Sequence, residues 1–514
     1  MSKILWIDDE IEMLRPHCMS LNNRGHEVST ANNAFDALDD LRTHHYDLIF
    51  LDENMPGRSG LDVLPDIKVL APDTPVVMVT KSEEERVMEE AIGSKIAYYL
   101  VKPINSAQLL ACIKQLIDKR SLVEKTALEK YQTEYRSIQM QMDACRTFAD
   151  WASLYNMLIH WELELENTDT MSELLLMQKR DANNGFCRFV KKNYSEWIAN
   201  PKAADVPLMS NRLMVERVLP TLEKGEKVVL IVIDNCRVDQ WELIRQMLAP
   251  DFNIKSELYC AILPTATQYA RNSIFSGLMP ADIKKNYPEY WTDEDDESSQ
   301  NRFEKELIGT FFERYRKTNF QYAYYKVNDS ESGDRIVNKF NNYKQNNLNA
   351  FVYNFMDMLS HARTENKIVS QLSENAAAYR SITKSWFEHS PLYNMIKLLG
   401  DLRYKIMITT DHGNIRVSNA QRIKGERDLN SNLRFKNGRN LAEYKANDVF
   451  ELDPDKGKLP RNSVSAKYVF ATNEDFFVYP NDFNTYVDKY NNTFQHGGIS
   501  MEEMIVPFAI LEAK

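Results

Sequence analysis

The first hundred residues repeat one rhythm: a short apolar run, then a longer stretch with apolar positions at helical spacing. The runs are KILWID (3–8), EVSTA (27–31), LIFLD (48–52), PVVMVT (75–80) and AYYLV (97–101). Such runs suit strands, and their alternation with helical stretches predicts a parallel sheet covered on both faces. From about 105 to 200 the runs stop. Leu, Lys, Glu and Gln dominate there, no proline lies between Pro103 and Pro201, and Gly185 is the one glycine of that span. Several helices are expected, the first continuing the last helix of the sheet domain. TFADWASLYNMLIHWELEL carries a stripe of Trp151, Tyr155, Leu158 and Trp161. The stripe reads as the inner face of a small bundle packed on its own core, with a partner groove as the alternative; His160 reads as structural. Near 206 the strand rhythm returns. EKVVLIVID (226–234), a short strand before Pro264, NAFVYNFMD (349–357), KIMITTD (405–411) and the closing EEMIVPFAILEAK predict a second α/β domain.

The length of 514 residues suits about three domains. The pattern divides them as 1–118, 119–205 and 206–514. A net charge of −11 argues against a broad grip on duplex DNA. The long second α/β region also excludes a small helix-turn-helix output domain. No apolar run is long enough to span a membrane, and MSKILWIDDE is not a signal peptide. Six scattered cysteines with no CxxC read as reduced thiols, and a cytoplasmic protein is expected.

Candidate chemistry sits where the first five strands end. Asp8 and Asp9 follow the first, Asp52 ends the third, Thr80 ends the fourth, and Lys102 follows the fifth. Converging carboxylates repel unless a cation joins them, and an all-oxygen set suits Mg²⁺. Asp52 can then act as a nucleophile toward a phosphoryl group. WIDDE, LDENMPGRSG, VTKSEEE and YYLVKP together resemble the receiver domain of two-component response regulators. The resemblance implies that Asp52 is the phospho-acceptor. It implies Mg²⁺ held by Asp9, Asp52 and the backbone carbonyl of Asn54, with Asp8 alongside, and a switch pair of Thr80 and Tyr99. It also implies a sensor histidine kinase as partner and phosphorylation-promoted homodimerisation.

The second α/β region places Asp234, Thr267, Asp357, His361, Asp411, His412 and His496 at or near strand ends, where ligands of open sheets gather. Asp and His without Cys suit a hydrolytic zinc or manganese site. Seven groups exceed one tetrahedral ion and fit two ions about 4 Å apart. Asp357 and His361 share a face if a helix starts there. Asp411 and His412 can serve one ion only if their strand has ended, a turn that Gly413 permits. LIVIDNCRVDQW, LPTATQYARNSIFSG, MDMLSHA, TTDHGN and HGGIS resemble the PglZ branch of the alkaline phosphatase superfamily, over about 206–514. The resemblance implies two Zn²⁺, one held by Asp234, Thr267, Asp411 and His412, the other by Asp357, His361 and His496. Thr267 would be the nucleophile. Ala270 stands where related phosphodiesterases carry an asparagine, and Arg271 is the candidate phosphate clamp. The fold expected is α/β throughout: a (βα)5 receiver, a helical connector bundle, and an alkaline-phosphatase-like domain with a mostly parallel central sheet.

Receiver, connector and PglZ domain in this order resemble PorX-type response regulators. That implies regulation of type IX secretion, a PorY-type kinase and a sigma factor of the extracytoplasmic-function type. The function expected is a phosphodiesterase acting on nucleotides or short oligonucleotides. The alternatives are a non-catalytic sigma-factor adaptor and a metal-dependent phosphatase on another phosphoester. Two inserts remain. YPEYWTDEDDESSQNRFEKE (287–306) reads as an exposed acidic loop at the site edge. QRIKGERDLNSNLRFKNGRN (421–440) reads either as a solvated loop or as a basic attractant for substrate phosphate.

Overall fold

The computed structural model describes residues 2–72, 74–80, 96–114, 116, 119–166, 169–292, 301–365, 369, 375–425, 430–481 and 483–514. They form two compact units, Met1–Gln132 and Thr133–Lys514.

In the first unit, β1 (Lys3–Ile7), β2 (Glu27–Ala31), β3 (Leu48–Asp52), β4 (Val76–Thr80) and β5 (Tyr98–Val101) make a parallel sheet in the order β2-β1-β3-β4-β5. The two-residue period of the strands sorts the core. Leu5, Ile7, Ile49, Leu51 and Met78 meet α2 (Ala34–Leu41) and α3 (Gly60–Leu70) on one face. Ile4, Trp6, Leu48, Phe50 and Val77 meet α1 (Ile11–Asn22) and α4 (Ser106–Ile113) on the other. Double coverage explains why the inner strands β1, β3 and β4 are apolar except at their ends, while the edge strand β2 is more polar. The helical stretch expected between β4 and β5 falls on residues 81–95, outside the described residues.

Three helices follow: α5 (Lys119–Ala144), α6 (Phe148–Glu164) and α7 (Asp169–Ala199). Thr147 and Asp150 close a capping box at the start of α6. Trp151, Tyr155, Leu158 and Trp161 are all buried. Gly185 on α7 makes room for Trp151, since a Cβ there would sit 2.5 Å from the indole ring. The expectation of a bundle packed only on itself is corrected. Asn183 donates to Glu502 at 2.8 Å, the Cys187 thiol faces the Ile499 carbonyl at 3.3 Å, and Arg180 pairs with Glu474 at 2.9 Å. Helix α7 therefore packs against the C-terminal sheet domain.

That domain is built on β6 (Val228–Ile233), β7 (Phe252–Cys260), β8 (Tyr322–Val327), β9 (Leu348–Tyr353), β10 (Lys405–Thr409) and β11 (Ile505–Ala513), in the order β7-β11-β10-β6-β9-β8. β8, β9, β6 and β10 are parallel neighbours, while β11 runs antiparallel to β10 and β7. All six side chains of β6, VVLIVI, are buried, each worth about 2 kcal/mol of hydrophobic transfer. The short strand expected before Pro264 is not formed. Ala261–Leu263 is buried irregular chain, and the strand lies earlier, at β7. All six cysteines are buried free thiols. No described helix is long and apolar enough to cross a membrane.

Candidate functional site

In the first unit Asp8, Asp9 and Asp52 bring one oxygen each to within 4.8 Å of one another. Lys102 Nζ lies 2.8 Å from Asp8 Oδ2 and 2.8 Å from Asp52 Oδ1. Asp52 is buried, and burial raises its pKa to about 6 although Lys102 pulls the other way. Thr80 is buried and donates to the Glu53 carboxylate, a partner the sequence reading did not single out. Asn54 is exposed beyond β3, and Tyr99 is half-buried on β5.

In the second unit, parallel register does the gathering. Ile233 pairs with Tyr353 and Val232 with Thr409, so β6, β9 and β10 end together. Asp234 follows β6. Asp411 and His412 follow β10. Asp357 and His361 lie one turn apart on α11 (Phe355–Glu365), with His361 Nε2 3.5 Å from Asp357 Oδ2. Thr267 opens α9 (Thr267–Ser276). His496 precedes β11, whose reversed direction returns its upstream loop to the same edge.

Two clusters result. Asp234, Asp411 and His412 offer ligand atoms within 4.8 Å of one another, and so do Asp357, His361 and His496. His412 Nε2 is 3.1 Å from Thr267 Oγ1 and 3.9 Å from Asp234 Oδ1 and Asp411 Oδ2. Its Nδ1 lies 3.1 Å from the Gly413 carbonyl, as His496 Nδ1 lies 3.1 Å from the Thr265 carbonyl. A proton on each Nδ1 satisfies those carbonyls and leaves Nε2 with its lone pair toward the cluster. The two imidazoles stack at 4.3 Å between centroids and join the clusters. Thr267 is no helix cap: the capping position is Ala266.

Electrostatics mark the carboxylates as under-compensated. Burial, then the charge of Asp234, raises the pKa of Asp411 far above the usual range, and Asp357 shifts up for the same two reasons. Burial also works on Asp234, but Arg271 and His412 outweigh it and hold that group low. Burial and His412 push His496 down to about 4. Asp234 Oδ1 and Asp411 Oδ2 are buried without a hydrogen-bond donor among the described residues. Two orphan oxygens beside an imidazole lone pair fit a divalent cation.

Several sequence expectations change. Arg271 is no free phosphate clamp. It is 2% exposed, with Nη1 2.7 Å from Asp234 Oδ2 and Nε 2.6 Å from Glu304 Oε1. It holds the Asp234 carboxylate from behind. Glu304 belongs to the insert read as exposed and acidic, yet it is buried at the start of α10 (Glu304–Arg314); residues 293–300 of that insert lie outside the described residues. In the basic insert, Arg434 is buried against Glu503 and Lys436 is buried too, while 426–429 lie outside the described residues. Gly413 is needed for a different reason than the turn. A Cβ there would lie 2.0 Å from the Glu502 carbonyl oxygen. The sequence reading also missed Asn235. This residue sits at φ 62, donates its amide N–H to Asp411 Oδ1 at 3.2 Å and its side chain to Asp357 Oδ1 at 3.1 Å. Only its place, directly after a strand-end Asp, could have drawn attention to it.

Comparison with known families settles the wider frame. The alkaline phosphatase-like PglZ domain of BREX systems matches residues 213–510, more than half of the chain. The chain belongs to the PglZ family. The response regulator receiver domain matches residues 4–114, and the PorX response regulator linker domain matches 121–198. Receiver, linker and PglZ domain in one chain is the PorX-type architecture. Among curated relatives, the alginate biosynthesis transcriptional regulatory protein AlgB of Pseudomonas putida is 39% identical over 128 residues, 25% of this chain and 29% of that protein. The CpxR homolog of Haemophilus influenzae is 36% identical over 119 residues, 23% of this chain and 51% of that protein. The PglZ protein thus spans about a third to a half of the curated relatives it matches. Among solved structures, TrrA from Thermotoga maritima with Mg²⁺ and beryllofluoride is 32% identical, covering 23% of this chain and all of that one (TM-score 0.21). CheY4 of Vibrio cholerae is 28% identical, covering 23% of this chain and 99% of that one (TM-score 0.22). Receiver domains are phosphorylated by sensor histidine kinases, often dimerise and typically hold Mg²⁺; alkaline phosphatase-like domains typically use metal ions as well.

Proposed function

We propose that the PglZ domain is a phosphodiesterase acting on nucleotides or short oligonucleotides, with Thr267 as nucleophile and two zinc ions as cofactors. The observation that carries this reading is the pair of orphan buried oxygens, Asp234 Oδ1 and Asp411 Oδ2, facing the same His412 Nε2 that meets Thr267 Oγ1. Asp234, Thr267, Asp411 and His412 would hold one ion, and Asp357, His361 and His496 the other. The chemistry such ions supply is positive charge, which favours the ionised hydroxyl and offsets the phosphate oxygens. Thr267 Oγ1 bonds to phosphorus as the ester O–P bond breaks and an alcohol leaves. Water then cleaves the Thr267 Oγ1–P bond and restores the hydroxyl. No side chain caps the start of α9, where backbone amides would donate to phosphate oxygens. Two dications would let an acidic protein hold an anionic substrate.

In the receiver, Asp52 would accept the phosphoryl group. Mg²⁺ would sit on Asp9, Asp52 and the Asn54 carbonyl with Asp8 alongside, and Thr80 and Tyr99 would switch. The PorX linker match supports extending the reading to type IX secretion, with a PorY-type kinase and an extracytoplasmic-function sigma factor as partners and a phosphorylation-promoted homodimer as the active form. The test is metal content together with turnover of bis-p-nitrophenyl phosphate, p-nitrophenyl phosphate and a short oligonucleotide, with and without a phosphoryl mimic on Asp52. Diester turnover lost on chelation and restored by zinc is expected. Preference for the monoester would favour a phosphatase, and absence of both bound metal and turnover in either state would sink the enzyme reading.

A further inference from the structure

The metal clusters are not positioned by their own strands alone. Asn235 touches one carboxylate in each cluster: Asp411 through its backbone N–H and Asp357 through its side-chain amide. Its Oδ1 accepts from Asn414 Nδ2 at 2.9 Å. Asn414 Oδ1 in turn accepts from Arg237 Nη1 at 3.0 Å. Arg237 grips Asp239 with both ends of its fork, at 2.8 and 2.7 Å, while its guanidinium lies over the Phe494 ring. Arg380 reaches Asp239 Oδ2 at 3.2 Å and, from the same Nη1, Glu162 Oε1 on α6 at 2.6 Å. Asn235, Asn414, Arg237, Asp239 and Arg380 are each no more than 3% exposed.

A second arm ends on the same loop. Lys179 on α7 pairs with Glu162 at 2.6 Å and with Glu502 at 3.4 Å. The backbone carbonyl of Glu502 is what a Cβ on Gly413 would strike. The line is fully buried from Asn235 to Arg380 and half-buried at Glu162 and Lys179, and its buried part is stiff, because moving one member leaves its neighbour unpaired in low dielectric. Both arms begin on the connector helices and end beside Asp411 and His412.

We propose that this relay, from Glu162 through Arg380, Asp239, Arg237 and Asn414 to Asn235, positions Asp411 and Asp357 for metal, so that the placement of connector helix α6 sets the affinity of the two-metal site. Asn235 and Arg237 are positioning residues: they act on the ligands without needing to touch metal or substrate. The proposal rests on the metal-site reading above.

The test is cobalt titration of the full chain, read by d–d absorption and by competition with a chromogenic chelator. Asn235→Gly removes the bridging amide while keeping the left-handed backbone free of strain. It is expected to weaken cobalt binding about tenfold and to change chiefly the absorption band of the equivalent held by Asp357, since the backbone N–H to Asp411 remains. Arg380→Gln, which alters the pairing with Asp239, Glu162 and Glu166, is expected to weaken it about fivefold, and this effect should vanish in the double variant with Asn235→Gly. Glu162→Gln serves in place of Arg380→Gln if the latter does not fold. Independent, multiplying effects, or unchanged isotherms in both variants, overturn the relay while leaving the enzyme reading intact. A wild-type chain that binds no cobalt overturns both.

Discussion

The chain holds two clusters of acids at the ends of parallel strands, and they solve the same repulsion differently. In the receiver, Lys102 sits between Asp8 and Asp52, and Asp9 stays exposed. That cluster carries its own cation and remains open to reversible changes of charge. In the PglZ domain Asp234 and Asp411 are buried, Arg271 pairs with Asp234 from behind and lies 3.6 Å from Asp411, and two oxygens have no hydrogen-bond donor among the described residues. That cluster is the more deeply buried, and a cation from outside would complete its charge. The two clusters thus differ less in residue types than in burial and in where the compensating cation would come from.

The contrast can be broken by experiment. Thr267→Ala is expected to lower phosphoester turnover about 10³-fold, while Asp234, Asp411 and His412 still hold the first ion, more weakly, and the second equivalent binds as before. Steady-state kinetics beside elemental analysis checks both halves. Next in size, Gly413→Ala should destabilise the second unit by about 3 kcal/mol, because the new Cβ meets a backbone carbonyl that cannot swing aside. Denaturant unfolding of that unit gives the number.

Legibility from sequence followed the same divide. The strand-end acids and histidines stood out because apolar runs such as VVLIVI and KIMIT mark where a strand stops, and parallel topology brings those stops together. The partners that hold them did not stand out. Asn235, Asn414, Arg237 and Arg380 meet across gaps of over a hundred residues, with no spacing to betray them. Charge runs misled as well. Glu304, Arg434 and Lys436 sit in segments polar enough to read as solvated, yet each is buried on a partner. The receiver hid less, since Lys102 follows its strand directly.

Two smaller effects sharpen the comparison. Lys102→Ala should cost the receiver about 2 kcal/mol when Mg²⁺ is scarce, and added Mg²⁺ should restore most of it, as followed by thermal melting. The reciprocal loss of Arg271 should not be recovered by Mg²⁺. Gly57→Ala in the receiver should cost only about 1 kcal/mol, because φ is 89° but open space surrounds the position. Set beside Gly413→Ala, it separates backbone strain from steric contact.

The most direct test asks where phosphorus becomes attached to the chain. Labelled phosphodiester is mixed with zinc-loaded protein, quenched in acid and mapped by mass spectrometry. The account predicts an acid-stable adduct on Thr267, absent from Thr267→Ala and distinct from any hydroxylamine-sensitive label on Asp52. Turnover that persists undiminished in Thr267→Ala, with no adduct at residue 267 in the parent, would contradict it.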